Sequence, residues 1–273
     1  MAANERLGAE RGVADRYRLR LLPHRSRGRI GDRRGSGVGS SMEFFDFRDY
    51  APGDDLRHLD WRGYARTEKL RVRLHQEEVA PFVDVLVDRS ASMAADADKE
   101  RAVRELLAAL ELWCRKSGCT ARLLECGGGP TSAERIVFDD LAVAPQPPAM
   151  PLRPRGVRVL VTDGLWRDDG AAFLHRLAAG AADVLVLQVL SKWEVDPEPC
   201  GALALVDVET DERREVQFDA AAVAAYKAKL QRLCDDLRQT TLADGGRYAR
   251  VVADDLGAMC RRDLVPAEVL EPA

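Results

Sequence analysis

The sequence predicts an α/β fold, a doubly wound and mostly parallel sheet with a β-rich appendage at its N-terminal side. Three observations carry this. After Ala80, short apolar runs alternate with longer stretches whose apolar residues recur at spacings of three and four, the pattern of strands covered by helices on both faces. Two of those runs end directly in an Asp, at Asp88 and at Asp163. Before Ala80 the chain is rich in Arg and Gly and offers only short aromatic or alternating runs, too little for a large core of its own. The expected division is therefore 1–79 as a basic segment plus appendage, 80–265 as the α/β domain, and 266–273 as a tail.

Taken in order, Phe44 to Tyr50 and Leu70 to His75 read as the strands of the appendage. Phe82 to Val87 is the first buried strand, and a helix follows from about Lys99 to Ser117, with Val103, Leu106, Leu107, Leu110 and Cys114 forming one apolar face. Thr120 to Cys126 and Ile136 to Phe138 read as the next strands, around a Gly127-Gly128-Gly129-Pro130 turn, and the Pro-rich stretch from Ala144 to Pro154 reads as a loop. Val157 to Thr162 is a further buried strand. A helix near Ala171 to Ala179 leads into Val184 to Leu190, and two short strands follow around Leu203 to Val208 and Glu215 to Phe218. The long helix Ala220 to Leu242 carries Val223, Tyr226, Leu230, Leu233 and Leu237 on one stripe, and Tyr248 to Val252 completes the sheet.

Composition narrows the function. A hydrophobic share of 46% and a charged share of 32% suit a folded, well-charged protein, and a net charge of -4 over 273 residues gives neither nucleic acid nor membrane a general attraction. No apolar run approaches the roughly 18 residues a membrane helix needs, and the polar start is unlike a signal peptide, so the cytoplasm is the expected location. The six cysteines form no C-x-x-C pair and sit mostly in apolar patterns, as reduced core residues do.

In open α/β sheets ligands collect at the carboxyl ends of the strands, which directs attention to Asp88-Arg89-Ser90-Ala91-Ser92 and to Val161-Thr162-Asp163-Gly164. An Asp and two Ser at alternate positions offer hard oxygen atoms on one side of a turn, suited to Mg²⁺, and Asp163 from a neighbouring strand would add another. By spacing alone, the two Ser serve equally well as caps of the helix that follows.

Asp88-x-Ser90-x-Ser92 resembles the metal-ion-dependent adhesion motif of von Willebrand factor A domains, with Asp163 as its later Asp. Upstream, His24-Arg25-Ser26, Glu43-Phe44, Arg48-Asp49-Tyr50-Ala51-Pro52-Gly53-Asp54-Asp55, Leu56-Arg57, Leu59-Asp60-Trp61 and Ala65-Arg66 resemble the signature of the bacterial family called domain of unknown function 58. Glu194, Gly201 to Asp207 and Ala225-Tyr226 are similar to that family's tail. The resemblance implies a von Willebrand A-like fold behind the signature, a MoxR-type AAA+ ATPase as partner, and a role of the pair in assembly or maturation of other protein complexes. Many relatives carry two membrane helices ahead of the signature, and no such apolar run precedes it here. The adhesion motif also takes a Thr from a middle loop. Thr131 is the sole Thr between Cys126 and Pro154, and it follows a strand-ending turn, so that ligand is left unassigned.

Read without the family, Pro52-Gly53-Asp54-Asp55 is a turn. Arg48, Arg57, Arg62 and Arg66 lie near Asp49, Asp54, Asp55 and Asp60 in the chain, as an ion-pair network or as an ordinary solvated face, and Trp61 and Tyr64 read as packing anchors. Two rival functions remain. Arg16, Arg18, Arg20, Arg25, Arg27, Arg29, Arg33 and Arg34, against Asp32 alone, would suit phosphate neutralisation in a nucleic-acid-binding protein, though Tyr17 is the only aromatic residue among them. A Mg²⁺-dependent phosphohydrolase would use Asp88 as nucleophile, but it needs an acid two residues later, where Ser90 stands. His24, His58, His75 and His175 show no metal-ligand spacing, and neither a phosphate-cradling nor a dinucleotide-binding glycine motif occurs, so a small-molecule substrate is not expected. The sequence thus points to a non-enzymatic protein-binding module in which Asp88, Ser90, Ser92 and Asp163 hold Mg²⁺.

Overall fold

The expected α/β class is borne out in the structure, a computed structural model that describes residues 12–21, 42–52, 54, 59–77, 82–139, 145–168, 170–207 and 212–273. A short strand β1 (Tyr17–Leu19) comes first. The appendage follows as strand β2 (Met42–Asp49), helix α1 (Trp61–Thr67) and strand β3 (Arg71–Glu77), with β2 and β3 antiparallel and a bulge between Phe44 and Asp46. The main unit continues through β4 (Phe82–Val87), α2 (Ala97–Lys116), β5 (Thr120–Glu125), β6 (Val157–Thr162), α3 (Ala171–Ala178) and β7 (Asp183–Leu190). It ends with α4 (Lys192–Val195), the hairpin β8 (Gly201–Val206) and β9 (Arg213–Phe218), α5 (Ala220–Ala243), β10 (Arg247–Val252), α6 (Leu256–Met259) and β11 (Leu270–Pro272).

Five strands form the central sheet in the order β10-β7-β6-β4-β5, every neighbouring pair parallel. From β4 the chain steps outward to β5, then crosses back past β4 to lay down β6, β7 and β10 on the other side. The winding reverses between β4 and β6. Burial is alternate and complete: Val83, Val85, Val87, Val159 and Val161 pack toward Leu106, Leu110 and Trp113 of α2, whereas Leu86, Leu160 and Val186 pack toward Phe173, Leu174 and Leu177 of α3 and Leu237 of α5. A strand buried on both faces needs apolar residues at successive positions, which is why these runs show no polar alternation. Leaving out Trp113, which is fully buried, would open a cavity worth about 3–5 kcal/mol.

The division of the chain departs from expectation at both ends. The larger compact unit takes in β1 as well as everything after Pro81, and the smaller lies within 26–80. β1 pairs antiparallel with β11, Tyr17 opposite Pro272, so neither Tyr17–Leu19 nor Leu270–Pro272 is peripheral. Trp113 Nε1 donates to Ala14 O at 3.0 Å and Ser117 Oγ to Leu19 O at 2.8 Å, which fixes this segment against α2. The expected strand at Ile136 to Phe138 is irregular instead. Ile136 is buried as a strand residue would be, but Arg104 of α2 donates to the carbonyls of Ala133 (2.6 Å) and Ile136 (2.9 Å), doing what a neighbouring strand would have done. The hairpin β8–β9 is a separate antiparallel pair outside the central sheet.

In the appendage, Asp54 accepts two hydrogen bonds from the Arg48 guanidinium (2.7 and 2.5 Å) and one from Ala51 N–H (2.8 Å). These bonds hold the Asp54 carboxyl below its ordinary range and tie the Pro52 turn to β2. Tyr50 N–H donates to Leu70 O, Asp60 N–H to Arg71 O, and Arg66 Nε to Arg62 O within α1. Gly53, Asp55, Arg57 and His24 to Ser26 lie outside the described residues. Trp61 and Tyr64 are not the buried anchors expected: α1 buries none of its residues, and the two rings meet edge to face at 6.5 Å, both exposed.

Five of the six cysteines are buried and Cys200 is exposed. Burial pushes the thiols of Cys114 and Cys260 up to about 12, which suppresses the thiolate that reacts. At pH 8 one thiol per chain, that of Cys200, is therefore expected to react quickly with a thiol reagent, against all six in denaturant. Two or more fast thiols in the native protein would contradict this packing.

Candidate functional site

The turning point of the winding is where the site forms. Val87 of β4 lies opposite Val161 of β6, and Asp88 N–H extends the ladder to Val161 O at 2.9 Å. Asp88 therefore leaves β4 beside Thr162 and Asp163, which end β6 on the same rim. Asp88 and Asp163 are both buried, as is Ser90, and Ser92 is half-buried. Three of the four expected residues cluster tightly, and Asp163 is their neighbour with other engagements.

Asp88 Oδ1 accepts the N–H of Ser90 at 3.0 Å, a local turn that aims the following residues back over the strand end. Asp88 Oδ2 accepts the Thr162 hydroxyl at 2.6 Å and the Trp166 indole N–H at 2.7 Å. Trp166 reaches it because Gly170 stands beneath the ring: a Cβ there would lie 2.1 Å from the indole. Gly164, at φ +66°, makes the sharp exit from β6 that keeps Asp163 and Trp166 on the same rim. Burial first, and then the Asp163 charge, raises the Asp88 carboxyl above its ordinary range, while the three donors pull it down in part.

The Ser90 and Ser92 hydroxyls are 3.0 Å apart. Ligands at about 2.0–2.1 Å from Mg²⁺ and at right angles to one another stand about 2.9 Å apart, so this spacing suits adjacent coordination positions. Ser90 precedes a 3-10 turn, Ala91–Ala94, without capping it by its side chain, and the cap of α2 is Asp96, which accepts the Lys99 N–H at 2.7 Å. The capping role that spacing left open for the two Ser belongs to Asp96. Asp88, Ser90 and Ser92 are thus the side chains of this rim whose oxygen atoms could hold a small divalent ion. Among the described residues, no group of three His, Cys, Asp or Glu side chains converges as a ready-made metal cage.

Asp163 faces a cation that belongs to the chain. Lys99 is fully buried, and its Nζ donates to Asp163 Oδ2 at 3.0 Å and to Glu194 Oε1 at 2.9 Å. Burial alone would lower the Lys99 ammonium; the two carboxylates outweigh it and raise it, so the lysine is held charged. Asp163 Oδ1 accepts Leu165 N–H at 3.1 Å, and Gln188 Nε2 donates to the Asp163 main-chain oxygen at 2.7 Å. Glu194 is fixed by a capping box at the start of α4: its Oε2 accepts Ser191 N–H at 2.6 Å while Ser191 Oγ accepts Glu194 N–H at 3.1 Å. Tyr226 of α5 closes this side by donating to Glu194 O at 3.0 Å.

Lys99, Thr162, Trp166 and Gln188 escaped the reading of motifs. Lys99 left a signal, since it lies four residues before Val103 on the apolar stripe of α2, where a charge must find a buried partner. Glu194 left another in Ser191-x-x-Glu194. Thr131, the Thr of the middle loop, does not reach this rim by its ladder: its N–H donates to Leu123 O, running back along β5. The hydroxyl beside Asp88 comes from Thr162 instead.

A doubly wound α/β protein with acidic and hydroxyl side chains gathered where its strand order reverses is thus defined. Its family follows from the sequence comparison: the chain belongs to the family described as Protein of unknown function DUF58, matched over residues 46–233. It is 28% identical over 235 residues, 74% of each chain, to the uncharacterized proteins Rv1480 of Mycobacterium tuberculosis and Mb1516 of Mycobacterium bovis. Among solved structures it is similar to the conserved hypothetical protein BatB from Bacteroides thetaiotaomicron, at 14% identity and a TM-score of 0.35 over 64% of this chain and 92% of that one. It is also similar to an aerotolerance-related membrane protein from Bacteroides fragilis, at 17% identity and a TM-score of 0.33 over 66% and 94%. No helix among the described residues is long and apolar enough to cross a membrane.

Replacing Lys99 by Met leaves two buried carboxylates without their cation. Such removal of one partner costs about 3–5 kcal/mol, so urea denaturation should show a loss of that size. A loss under about 1 kcal/mol, the range of solvated surface pairs, would mean the ion pair is not buried in solution.

Proposed function

We propose that this chain is a non-enzymatic, metal-assisted docking module for another protein, with its face at the rim that carries Asp88, Ser90, Ser92 and Asp163. The observation that supports it most is the Ser90–Ser92 hydroxyl pair, 3.0 Å apart beside a buried carboxylate at the turning point of the sheet. Asp88, Ser90 and Ser92 would hold Mg²⁺, and a bound ion with neutral hydroxyl ligands supplies an electrophilic position for a carboxylate oxygen of the partner. The protein's part is to keep those oxygens aligned and dry. Thr162 and Trp166 do so by gripping one Asp88 oxygen, while the other accepts the Ser90 N–H.

The partner proposed is a MoxR-type AAA+ ATPase, in the assembly or maturation of other complexes, as the family signature implies. The phosphohydrolase alternative is less well served by this geometry, because Asp88 spends one oxygen on two donors and has no carboxylic acid two residues on. Nucleic-acid binding loses part of its basis as well: Arg18 pairs with Glu271 at 2.8 Å and Arg20 with Glu268 at 2.9 Å, while Arg25, Arg27, Arg29, Arg33 and Arg34 lie outside the described residues.

Calorimetry should record Mg²⁺ binding to the wild type and none to Asp88→Ala, with the fold of the variant intact by circular dichroism. Unchanged heat in the variant would defeat the assignment of the ion to this rim. For the partner, a MoxR-type AAA+ ATPase identified by mass should co-purify from native lysate, and a chelator or the Ser90→Ala/Ser92→Ala double variant should release it. Recovery indifferent to both would refute metal-assisted docking.

A further inference from the structure

Lys99 is the least expected residue at this site. It lies in the first turn of α2, at the positive end of the helix dipole, and it is fully buried. Both placements disfavour a lysine, and both are offset by the same two contacts, to Asp163 and Glu194. These carboxylates come from different strand ends: Asp163 follows β6 and Glu194 lies in α4, directly after β7. One ammonium therefore ties the exits of two neighbouring strands to the start of a helix. It also occupies the charge position that a divalent ion would otherwise share with Asp163, whose second oxygen accepts Leu165 N–H.

Resting on the metal-assisted reading above, we infer that Lys99 is a built-in cation that withdraws Asp163 from coordination and leaves Asp88, Ser90 and Ser92 to hold the ion. Its consequence is a site with one carboxylate in place of two. Such a site binds Mg²⁺ weakly, and the ion keeps its remaining positions for water and for a carboxylate brought by the partner. Lys99 is thus a positioning and charge-setting residue, acting through Asp163. Through Glu194 it also fixes the α4 turn, whose exposed Trp193 stacks on Phe218 at 5.9 Å.

The test is a titration of the full chain with Mg²⁺ alone, followed by calorimetry, for the wild type, Asp88→Ala, Asp163→Asn and Lys99→Met. Asp163→Asn keeps an oxygen for Lys99 and should weaken binding by no more than about tenfold, the lower range for a residue that acts from outside the coordination shell, whereas Asp88→Ala should abolish it. Lys99→Met should tighten binding by about tenfold or more, because a positive neighbour is lost and a carboxylate freed. If Asp163→Asn loses binding as completely as Asp88→Ala, Asp163 is a ligand: the inference is overturned and the metal-assisted reading stands. If the wild type gives no heat and its thermal midpoint ignores a chelator, the metal-assisted reading falls and this inference with it. Should Lys99→Met fail to fold, the contrast between Asp163→Asn and Asp88→Ala decides the matter by itself.

Discussion

The hydrogen-bond register between β4 and β6 is the constraint on which the rest of the rim depends. Because Val87 lies opposite Val161, the first residues beyond each strand emerge level with one another. A slip of one residue would turn Asp88 to the other face of the sheet and separate it from Thr162. The register is held by packing more than by polar contacts: Val85, Val87, Val159 and Val161 sit against α2, and Leu86 and Leu160 against the opposite layer. A hydrophobic pattern spread over several strands thus fixes the position of a few oxygen atoms at their ends.

The sheet holds a second buried acid, and the contrast with Asp88 is instructive. Asp84, in the middle of β4, faces Arg122 on β5, which donates at 2.6 and 3.1 Å, and it also accepts Arg153 N–H at 2.8 Å. Both of its oxygen atoms accept from fixed donors with a full positive charge among them. That is how a buried carboxylate is stabilised for structure alone. The donors to Asp88 are all neutral, and the charge that acts on it is that of another acid, Asp163. This difference of surroundings separates a candidate site from a core ion pair.

Much of this was legible in the chain. The five strands of the sheet and the helices α2, α3 and α5 follow from apolar runs and helical periodicity, and Asp88 and Asp163 follow from their place directly after such runs. What escaped notice did so for physical reasons. Ile136 to Phe138 has the apolar look of a strand, but its carbonyls are served by Arg104, a side chain from 32 residues earlier, and sequence pattern says nothing about such a donor. Lys99 lies on an apolar stripe, and a charge at the start of a helix is easily assigned to solvent. Its partners are 64 and 95 residues away, so only the fold reveals why it is tolerated. Trp166 became visible as an Asp88 donor only with the close approach that Gly170 permits.

The pairing of β1 with β11 has a consequence for how the protein is made. Arg18 and Glu271, 253 residues apart, are joined across this ribbon, and Ala14 and Leu19 complete the layer that covers α2. During synthesis, β11 leaves the ribosome some 253 residues after its partner β1. Until then one side of α2 lacks its cover, and the long loop between the two must be ordered before their union can repay its entropy. A chain that has not yet reached β11 therefore leaves that apolar layer open to water.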